Sequence, residues 1–513
     1  MKLVSMLLLL CIITTLQAAI RLPSVIGDHM VLQQQTKVQL WGWAEPGEKV
    51  TVIAGWDKHT VSAVTGKNGR WQLQLSTVKA GGPYTITIKG NNTLQINDVW
   101  LGEVWLCSGQ SNMDMTVARE DRYWCGVYNE EQEVATANYP EIRVFDAALT
   151  LTDTVQQDVK GMWEICSPTT VGHFSAAAYF FARNLQQHLK VPIGLVTTAY
   201  GGSTAEAWIR RTALEKQPDF KVLLDDYAKR KSVYDTSSFT RQKYAAEFEK
   251  WSQAAITAKA EKKDPPREPR NPDPEKDQHS PSVLYNGMVA PLAPYTIRGA
   301  IWYQGESNTS KPGIYRHLME TLVADWREIW HQGDFPFFYV QLANHGKPDT
   351  AVVSEKGVVL VREAQRQNLS IKNSGMIVAI DNANPEKPRD IHPKNKQAIG
   401  LRLALLARGK VYGEKIEYSG PVYTHMKTAG NTLVLFFDHA DGLKTIGSKL
   451  ESFAIAGEDK QFLPADAYIE GNTIVLSNQH IKHPVAATYG WAPNPPANLY
   501  NGADLPASPF RTF

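Results

Sequence analysis

The hydrophobic pattern changes period after Trp100, and this change constrains the fold more than any other feature of the chain. Beyond that point, apolar runs typical of buried strands alternate with stretches that repeat as amphipathic helices. In residues 175–190, apolar side chains recur at the spacing of one helical face. Residues 193–199 have the apolar composition of a buried strand. Further strand-like runs lie at 297–303, 335–342 and 376–380. A final helix is predicted to begin at Pro393, because proline is a favoured first helical residue. Residues 100–415 are therefore predicted to form an α/β core around a doubly wound, mainly parallel sheet.

Two β-rich regions are predicted to flank this core. Residues 20–99 contain short alternating segments separated by turn clusters such as Pro46-Gly47, which is typical of a β-sandwich. Residues 416–513 contain apolar runs, such as 433–437, that indicate a second β-rich region. A chain of 513 residues has room for about three domains of roughly 100 to 200 residues each.

One segment, residues 211–282, interrupts the α/β pattern. It holds 15 basic and 13 acidic residues among 72, nearly twice the charged fraction of the whole chain, which is 21%. Its first part, 214–263, is predicted to be mainly helical, and five prolines between 265 and 274 prevent further helix. We interpret it as a solvated helical insertion with a proline-rich return; a partner-binding arm is the alternative.

The first 19 residues are predicted to be a signal peptide. Lys2 is followed by the apolar run 3–13 and then by small residues ending at Ala18-Ala19. An apolar run of about 11 residues is too short to span a bilayer, which needs about 20. Leu10 before Cys11 disfavours a lipid anchor, because a lipoprotein signal has a small residue there. We therefore expect export to the periplasm or the extracellular space, without a membrane span.

The charge balance and the absence of certain motifs limit the classes of partner and cofactor that the chain is expected to bind. Lys plus Arg (54) nearly balance Asp plus Glu (52), and no long run of one sign occurs, so nucleic acid is not expected as a partner. The chain has no Cys-x-x-Cys, His-Glu-x-x-His, Walker or Gly-x-Gly-x-x-Gly pattern, so neither a metal site nor a cofactor is predicted. Beyond the signal segment, Cys107 lies in a strand-like run as a buried thiol; if a disulfide forms, Cys125 with Cys166 is the expected pair.

Four short polar motifs each follow a strand-like run, where open α/β sheets place their ligand crevice. They are SGQSNM at 108–113, YGGS at 200–203, QGESN at 304–308 and DIHP at 390–393. Together they supply hydroxyls, close-approach glycines, amides, two carboxylates and an imidazole. Those groups are the parts of a serine acyl-transfer site.

Three serines compete for the role of nucleophile. Ser111, Ser203 and Ser307 all follow a Gly-x pair, and none is followed by x-Gly, so the usual α/β-hydrolase elbow is absent. Ser111 is favoured because it lies at the predicted start of a helix. The dipole and the free N–H groups of a helix N-terminus stabilise a developing oxyanion.

The base and the oxyanion donors come from the other motifs. His392 precedes Pro393, which pushes its backbone toward an extended conformation, so its ring can project into the crevice. His345, after the strand-like run 335–342, is its rival by position. Gly202 permits close approach of the backbone to an oxyanion, and Asn308 can donate a side-chain N–H to it.

These four motifs resemble the blocks of the SGNH hydrolase superfamily, and within it they are most similar to the sialate O-acetylesterase family of secreted carbohydrate esterases. The resemblance assigns the nucleophile to Ser111, an oxyanion N–H to Gly202, an oxyanion amide to Asn308 and the catalytic imidazole to His392. All four blocks occur in family order across the α/β core, and the β-rich flanks fit the layout of the family. The resemblance implies an SGNH-type fold and two-step acyl transfer without a cofactor, in which the Ser111 N–H also holds the oxyanion.

The acid partner of His392 departs from the superfamily pattern. The superfamily commonly places an Asp three residues before the His, where this chain has Arg389, and Asp390 is two before. Related carbohydrate esterases recruit the Glu of the third block, which here is Glu306. Asp390 is slightly favoured, because the tight Asp-x-His-Pro turn fixes its separation from His392, and Glu306 is the supporting or alternative acid.

An O-acetylated sugar or glycan is the substrate that this resemblance implies. Gln110, Asn112 and Gln304, within the first and third blocks, are predicted to bind it. Sialic acid is the expected sugar and acetylated xylan the alternative, and no sequence feature specifies an oligomeric state. A non-catalytic carbohydrate-binding protein is the hypothesis from another class, since β-sandwiches and 14 Trp residues suit stacking on sugars.

Overall fold

The computed structural model describes residues 19–120, 122–261, 263, 265–266 and 268–513. The predicted signal peptide, apart from Ala19, lies outside the described residues, and so does Cys11. Within the described residues, each helix is too short or too polar to cross a lipid bilayer.

Short alternating strands form the N-terminal region. In β5 the side chains of Trp71, Leu73 and Leu75 are buried while Gln72 and Gln74 are exposed, because successive side chains of a strand point to opposite faces. The strand β2 pairs with β5, and β3 pairs with β4 and β6, all antiparallel. The strands are β1 (Val31–Gln33), β2 (Lys37–Trp43), β3 (Lys49–Ile53), β4 (Thr60–Val64), β5 (Arg70–Ser76) and β6 (Gly81–Lys89).

A single long strand, β7 (Thr93–Gly109), connects this region to the large central sheet. Its first half pairs antiparallel with β6, and its second half pairs in parallel with strands on both sides. The strand order is β13-β12-β11-β7-β10-β8-β9, and all these pairs are parallel except β8 with β9. The added strands are β8 (Tyr139–Asp146), β9 (Trp163–Cys166), β10 (Ile193–Ala199), β11 (Gly299–Tyr303), β12 (Phe337–Val340) and β13 (Ser374–Ile377).

Helices cover both faces of this sheet. Alternate residues of β7 enter different cores: Trp105 packs in the cluster that contains helices α3 and α9, and Leu106 in the cluster that contains α7 and α8. The helices are α1 (Ser111–Asp114), α2 (Glu130–Ala135), α3 (Ala176–Leu189), α4 (Arg211–Glu215), α5 (Lys221–Thr236), α6 (Ser238–Ala260), α7 (Tyr315–Trp330), α8 (Gly357–Gln367) and α9 (Lys396–Lys410). The chain is thus a mixed α/β protein with a large mixed sheet and additional β-rich regions.

The last helix of the core begins later than its sequence pattern predicts. A favoured first helical residue, Pro393, marks the predicted start, but α9 begins at Lys396. The Asn395 side chain accepts a hydrogen bond from the Ala398 N–H at 3.1 Å and caps the helix there. Residues 393–395 therefore remain part of the loop that carries His392.

Two sheets make up most of the C-terminal region, in the orders β14-β15-β20-β19 and β18-β17-β21-β23. Buried Arg362 connects this region to the core, because its guanidinium donates to the carbonyls of Leu342 and Ala343 and to those of Ala492 and Pro493. The strands are β14 (Val422–Ala429), β15 (Thr432–Asp438), β16 (Lys444–Thr445), β17 (Phe453–Ala456), β18 (Leu463–Pro464), β19 (Asp466–Glu470), β20 (Thr473–Ser477), β21 (Ala486–Tyr489), β22 (Leu499–Tyr500) and β23 (Phe510–Arg511).

The cysteines within the described residues are free and buried. Cys125 and Cys166, the pair expected if a disulfide formed, are separate thiols. Burial raises the pKa of Cys107 and Cys166, in the latter case to about 12, so both stay protonated near neutral pH.

Candidate active site

Ser111 and His392 meet at the carboxyl end of the central sheet. Ser111 is the first residue of α1, directly after β7, and His392 lies in the loop before α9. The Ser111 hydroxyl lies 2.9 Å from Nε2 of His392, within hydrogen-bond distance, and Ser111 is only 6% exposed. The two residues are 281 positions apart in the sequence, so the fold brings this pair together.

Asp390 lies on the opposite side of the His392 ring. Its Oδ1 is 3.1 Å from His392 Nδ1, and the same oxygen accepts the backbone N–H of His392 at 2.9 Å. A carboxylate that bonds the N–H two residues later forms a local turn, which bends the chain and brings the carboxylate to the ring. Burial raises the pKa of Asp390, but its bonds to His392 and the nearby positive charges outweigh that effect and hold the pKa below its usual value.

Glu306 is half-buried, and its carboxylate bonds to a different residue. Its Oε1 accepts a hydrogen bond from Asn112 Nδ2 at 2.5 Å, and its Oε2 is buried without a partner among the described residues. Burial raises the pKa of Glu306, which favours the neutral acid more than in solution. Of the two predicted acids, Asp390 is therefore the one whose carboxylate contacts the ring of His392.

Asn112, the residue after Ser111, connects the nucleophile helix to the loop of His392. It is fully buried; its Nδ2 also donates to the Ile391 carbonyl at 2.9 Å, and its Oδ1 accepts from Lys396 Nζ at 2.9 Å. Lys396 is fully buried as well and donates to the Pro393 carbonyl at 2.5 Å. Both backbone carbonyls flank His392, so these bonds hold its loop against α1.

Gln110 and Gln304, like Asn112, were expected to bind substrate, but the structure places all three in the interior. Gln110 Oε1 accepts the backbone N–H groups of Gly305 and Ser307, at 3.1 and 3.3 Å. Gln304 Nε2 donates to the Ser203 carbonyl at 3.1 Å and to the Asn308 side chain. They are 0–2% exposed, because their amides link the loops that follow neighbouring strands.

The rival serines and the rival histidine have other surroundings. Ser203 is fully buried, and its Oγ accepts the Trp208 indole N–H at 3.0 Å. Ser307 donates its hydroxyl to the Gly202 carbonyl at 2.9 Å. His345 does not contact Ser111; it lines the cavity that Glu306 and Ile391 also line. Among the described residues, Ser111 is therefore the serine of these motifs whose hydroxyl bonds an imidazole.

The predicted oxyanion donors lie on three adjacent loops. Gly202 has a φ of +72°, a conformation that favours glycine, and Ser111 contributes the N–H of a helix start. Within the described part of the chain, neither of these two N–H groups donates to another residue. Asn308 is 1% exposed; its Nδ2 donates to Glu206 at 2.9 Å and its Oδ1 accepts the Ala205 N–H at 2.9 Å.

The loop after α1 adds an aromatic wall that the motifs do not contain. The Trp124 ring lies 4.9 Å from the His392 ring between centroids, with an interplanar angle of 33°. Arg122 lies over Trp124 and pairs with Asp114 at 3.0 Å, which anchors this loop to α1. Trp124 covers one face of the imidazole and limits the orientations that the ring can take.

Comparison with known proteins identifies the family. Residues 101–232 and 276–407 match the family model described as "Carbohydrate esterase, sialic acid-specific acetylesterase". The matched residues make up just over half of the chain. The chain belongs to this family of carbohydrate esterases.

Relatives named sialate O-acetylesterase align with this esterase over nearly its full length. It is 29% identical to the sialate O-acetylesterase of Rattus norvegicus, over 96% of this chain and 94% of the relative. It is also 29% identical to that of Homo sapiens, over 96% of this chain and 92% of the relative. A crystal structure of a carbohydrate acetylesterase from Xanthomonas citri matches with a TM-score of 0.79 and 33% identity, covering 96% of this chain and all of that one. The protein is an acetylesterase, and the hypothesis of a non-catalytic sugar-binding protein is wrong.

Two residues of the esterase site escaped sequence reasoning. Lys396 shares a buried face of α9 with Ile399, Gly400 and Leu403, at the spacing of an apolar helical stripe. A lysine on such a stripe is a signal that could have identified it. Trp124 had no comparable signal, because its contact with His392 exists only in the folded chain.

Proposed function

We propose that this esterase hydrolyses O-acetyl esters of sugars with Ser111 as nucleophile, His392 as general base and acid, and Asp390 as the group that orients the imidazole. The observation that carries the proposal is the 2.9 Å distance between Ser111 Oγ and His392 Nε2. A nucleophile and a base within hydrogen-bond reach, with a third group on the base, form the arrangement that activates a serine hydroxyl.

In the first step, Ser111 Oγ attacks the acetyl carbonyl while its proton moves to His392 Nε2. The tetrahedral intermediate collapses, the C–O bond to the sugar breaks, and His392 returns the proton to the departing sugar oxygen. In the second step, His392 takes a proton from water, the resulting hydroxide attacks the acetyl-serine, and acetate leaves as Ser111 recovers its proton. The ionised Asp390 stabilises the imidazolium in both steps.

The oxyanion is proposed to bind the N–H groups of Ser111 and Gly202. Neither has a partner within the described part of the chain, and donors that are fixed before the reaction need no reorganisation when charge develops. Asn308 commits one amide hydrogen to Glu206, so its second amide hydrogen is proposed as the third donor.

The fold is proposed to be the doubly wound SGNH type, with domains at 20–99, 100–415 and 416–513. Support comes from the parallel order of β13, β12, β11, β7, β10 and β8 and from helix packing on both faces. The order of the four motifs along the chain agrees with this assignment.

The substrate is proposed to be an O-acetylated sialic acid. The family description and the names of the rat and human relatives support this sugar. Acetate release should be measured from O-acetylated N-acetylneuraminic acid and from acetylated xylan fragments at equal ester concentration. A kcat/KM at least about tenfold higher on the sialic acid supports the proposal, and a preference for xylan fragments contradicts it.

A fluorophosphonate probe tests the nucleophile in the same preparation. We expect covalent label on the peptide that contains Ser111, found by mass spectrometry, and no label after His392→Ala, because the hydroxyl then loses its base. Label on the peptide of Ser203 or Ser307 instead would exclude Ser111.

Export is a further part of the proposal. The pattern of Lys2, the apolar run 3–13 and the small residues before Ile20 supports cleavage after Ala19 and release to the periplasm or beyond. N-terminal sequencing of the mature protein from a cell fraction tests it: a sequence that starts at Met1, or protein confined to the cytoplasm, would refute it.

A further inference from the structure

A cavity of about 620 Å³ opens beside the loop of His392. Glu306 and Ile391 line its inner end, beside the loop of His392, and residues 342–349 and 356–358 form most of its wall. Its volume lies within the range of about 300 to 1,000 Å³ that is typical of small-molecule sites. Because Ile391 directly precedes His392, the cavity adjoins the place where the ester must react.

The wall of this cavity is held by bonds from two directions. The Gly346 N–H donates to the Pro388 carbonyl on the loop of His392. From the C-terminal region, Asn494 Nδ2 donates to the Gly346 carbonyl at 2.7 Å, and the Pro493 carbonyl accepts the His345 N–H at 3.3 Å. The cavity is therefore shaped before a ligand enters, which lowers the entropy cost of binding.

The inner end offers a hydrogen-bonding group that the protein leaves unused. Glu306 Oε2 is buried and has no partner among the described residues. A buried polar atom without a partner is costly, and a sugar hydroxyl at this position would satisfy it. Burial also lowers the pKa of His345, so its neutral ring can donate to one hydroxyl or accept from another.

The outer end is bordered by two lysines. Lys347 is exposed and, among the described residues, has no acidic partner within ion-pair distance. Lys356 lies 3.9 Å from Asp349, which lines the same cavity and offsets its charge. Of the charged groups that face the cavity, Lys347 is thus the cation that is not already neutralised.

We propose that this cavity holds the sugar ring of the substrate and that Lys347 binds its carboxylate, so that the esterase selects acidic sugars. The inference rests on the proposed function, since it places the carboxylate of a sialic acid at the outer end and its hydroxyls toward Glu306. It also gives the C-terminal region a part in substrate binding, because that region holds the loop of Lys347 in place.

The test compares wild type and Lys347→Met on two substrates that differ in charge. O-acetylated N-acetylneuraminic acid carries the C1 carboxylate, and its C1 carboxamide is the neutral match. We expect Lys347→Met to raise KM for the acid by about tenfold while leaving kcat unchanged, and to leave both constants unchanged for the carboxamide. Lys347→Arg should restore most of the affinity for the acid, and Lys67→Met, an exposed lysine on an N-terminal turn, should behave as wild type.

The outcomes separate this inference from the proposed function. If wild type acts on the acid but Lys347→Met changes KM equally on both substrates, or on neither, the role of Lys347 is wrong and the proposed function stands. If wild type hydrolyses p-nitrophenyl acetate but releases no acetate from O-acetylated N-acetylneuraminic acid, the proposed substrate and this inference are both wrong.

Discussion

Asn112 Nδ2 donates a 2.5 Å hydrogen bond to Glu306 Oε1, so the residue next to the nucleophile binds the carboxylate that rivals Asp390 for the role of catalytic acid. Lys396 binds the other end of the same amide. Glu306, Asn112 and Lys396 thus form one buried polar chain beneath the Ser111–His392 pair. This chain positions the two loops of the site without touching the imidazole itself.

Ser111→Ala should lower turnover on p-nitrophenyl acetate by about 10⁶-fold, to near background, because no other hydroxyl bonds His392 in the described structure. Ser203→Ala is the matched control, since its hydroxyl accepts only an indole N–H and should keep activity within about tenfold. Circular dichroism would show that both variants fold. Substantial turnover in Ser111→Ala would remove it from the role of nucleophile.

Asp390→Asn should reduce kcat by up to about 10⁴-fold, because the imidazole loses the charge that stabilises its protonated form and its favoured tautomer. Glu306→Gln keeps an oxygen that can accept the Asn112 bond, so we expect a loss below about tenfold. Both variants are to be measured on one substrate. The reverse order of effects would assign the acid to Glu306.

Lys396→Met should change the pH dependence of stability. Burial lowers the pKa of Lys396 to about 7, against about 10.4 in an unfolded chain. Between these values the unfolded state binds more protons, so the free energy of unfolding of wild type rises with pH, and the cost of burying the charge is fully present below pH 7. The variant lacks this effect.

Urea unfolding at pH 6, 8 and 9.5 measures that difference. We expect wild type to gain stability relative to Lys396→Met as the pH rises, while Lys67→Met tracks wild type throughout. A stability difference that is the same at all three pH values would mean that Lys396 does not titrate in this range.

Removal of residues 238–266 should leave the chemistry intact but alter glycan binding. The family match omits 233–275, and α6 contains no buried residue, so the core loses little packing. The Trp251 indole N–H donates to the Pro266 carbonyl, so the proline-rich return lies beside the middle of α6. That point is about 20 Å from the first residue of the helix. A Gly/Ser linker of about eight residues can span that distance.

The return that follows the excised part lies near the site, since Thr204 N–H donates to the Gln278 carbonyl at 3.3 Å. We expect unchanged kcat/KM on p-nitrophenyl acetate and a KM for the acetylated sugar that changes by about threefold or more. Equal effects on both substrates would favour a purely structural segment.

The hydrophobic period and the polar motifs could be identified from the sequence. Both depend on residues that are close together in the chain, which set the pattern of each strand or helix and the place where a strand ends. These patterns predicted the approximate positions of the strands and the residues at their carboxyl ends, although the observed ends of some elements differ from the predicted ones. The start of α9, for example, depends on the Asn395 cap, so the helix begins at Lys396, three residues beyond the predicted Pro393.

The amino-acid sequence alone determined the α/β architecture, the β-rich flanks and a short set of chemically competent side chains. Only the tertiary structure decided which serine bonds His392, which carboxylate contacts its ring, and that Gln110, Asn112 and Gln304 link loops in the interior. Those outcomes depend on atoms separated by up to about 280 residues, at distances near 3 Å. Local patterns set where a strand ends, but the packing of the whole sheet sets which side chains meet there.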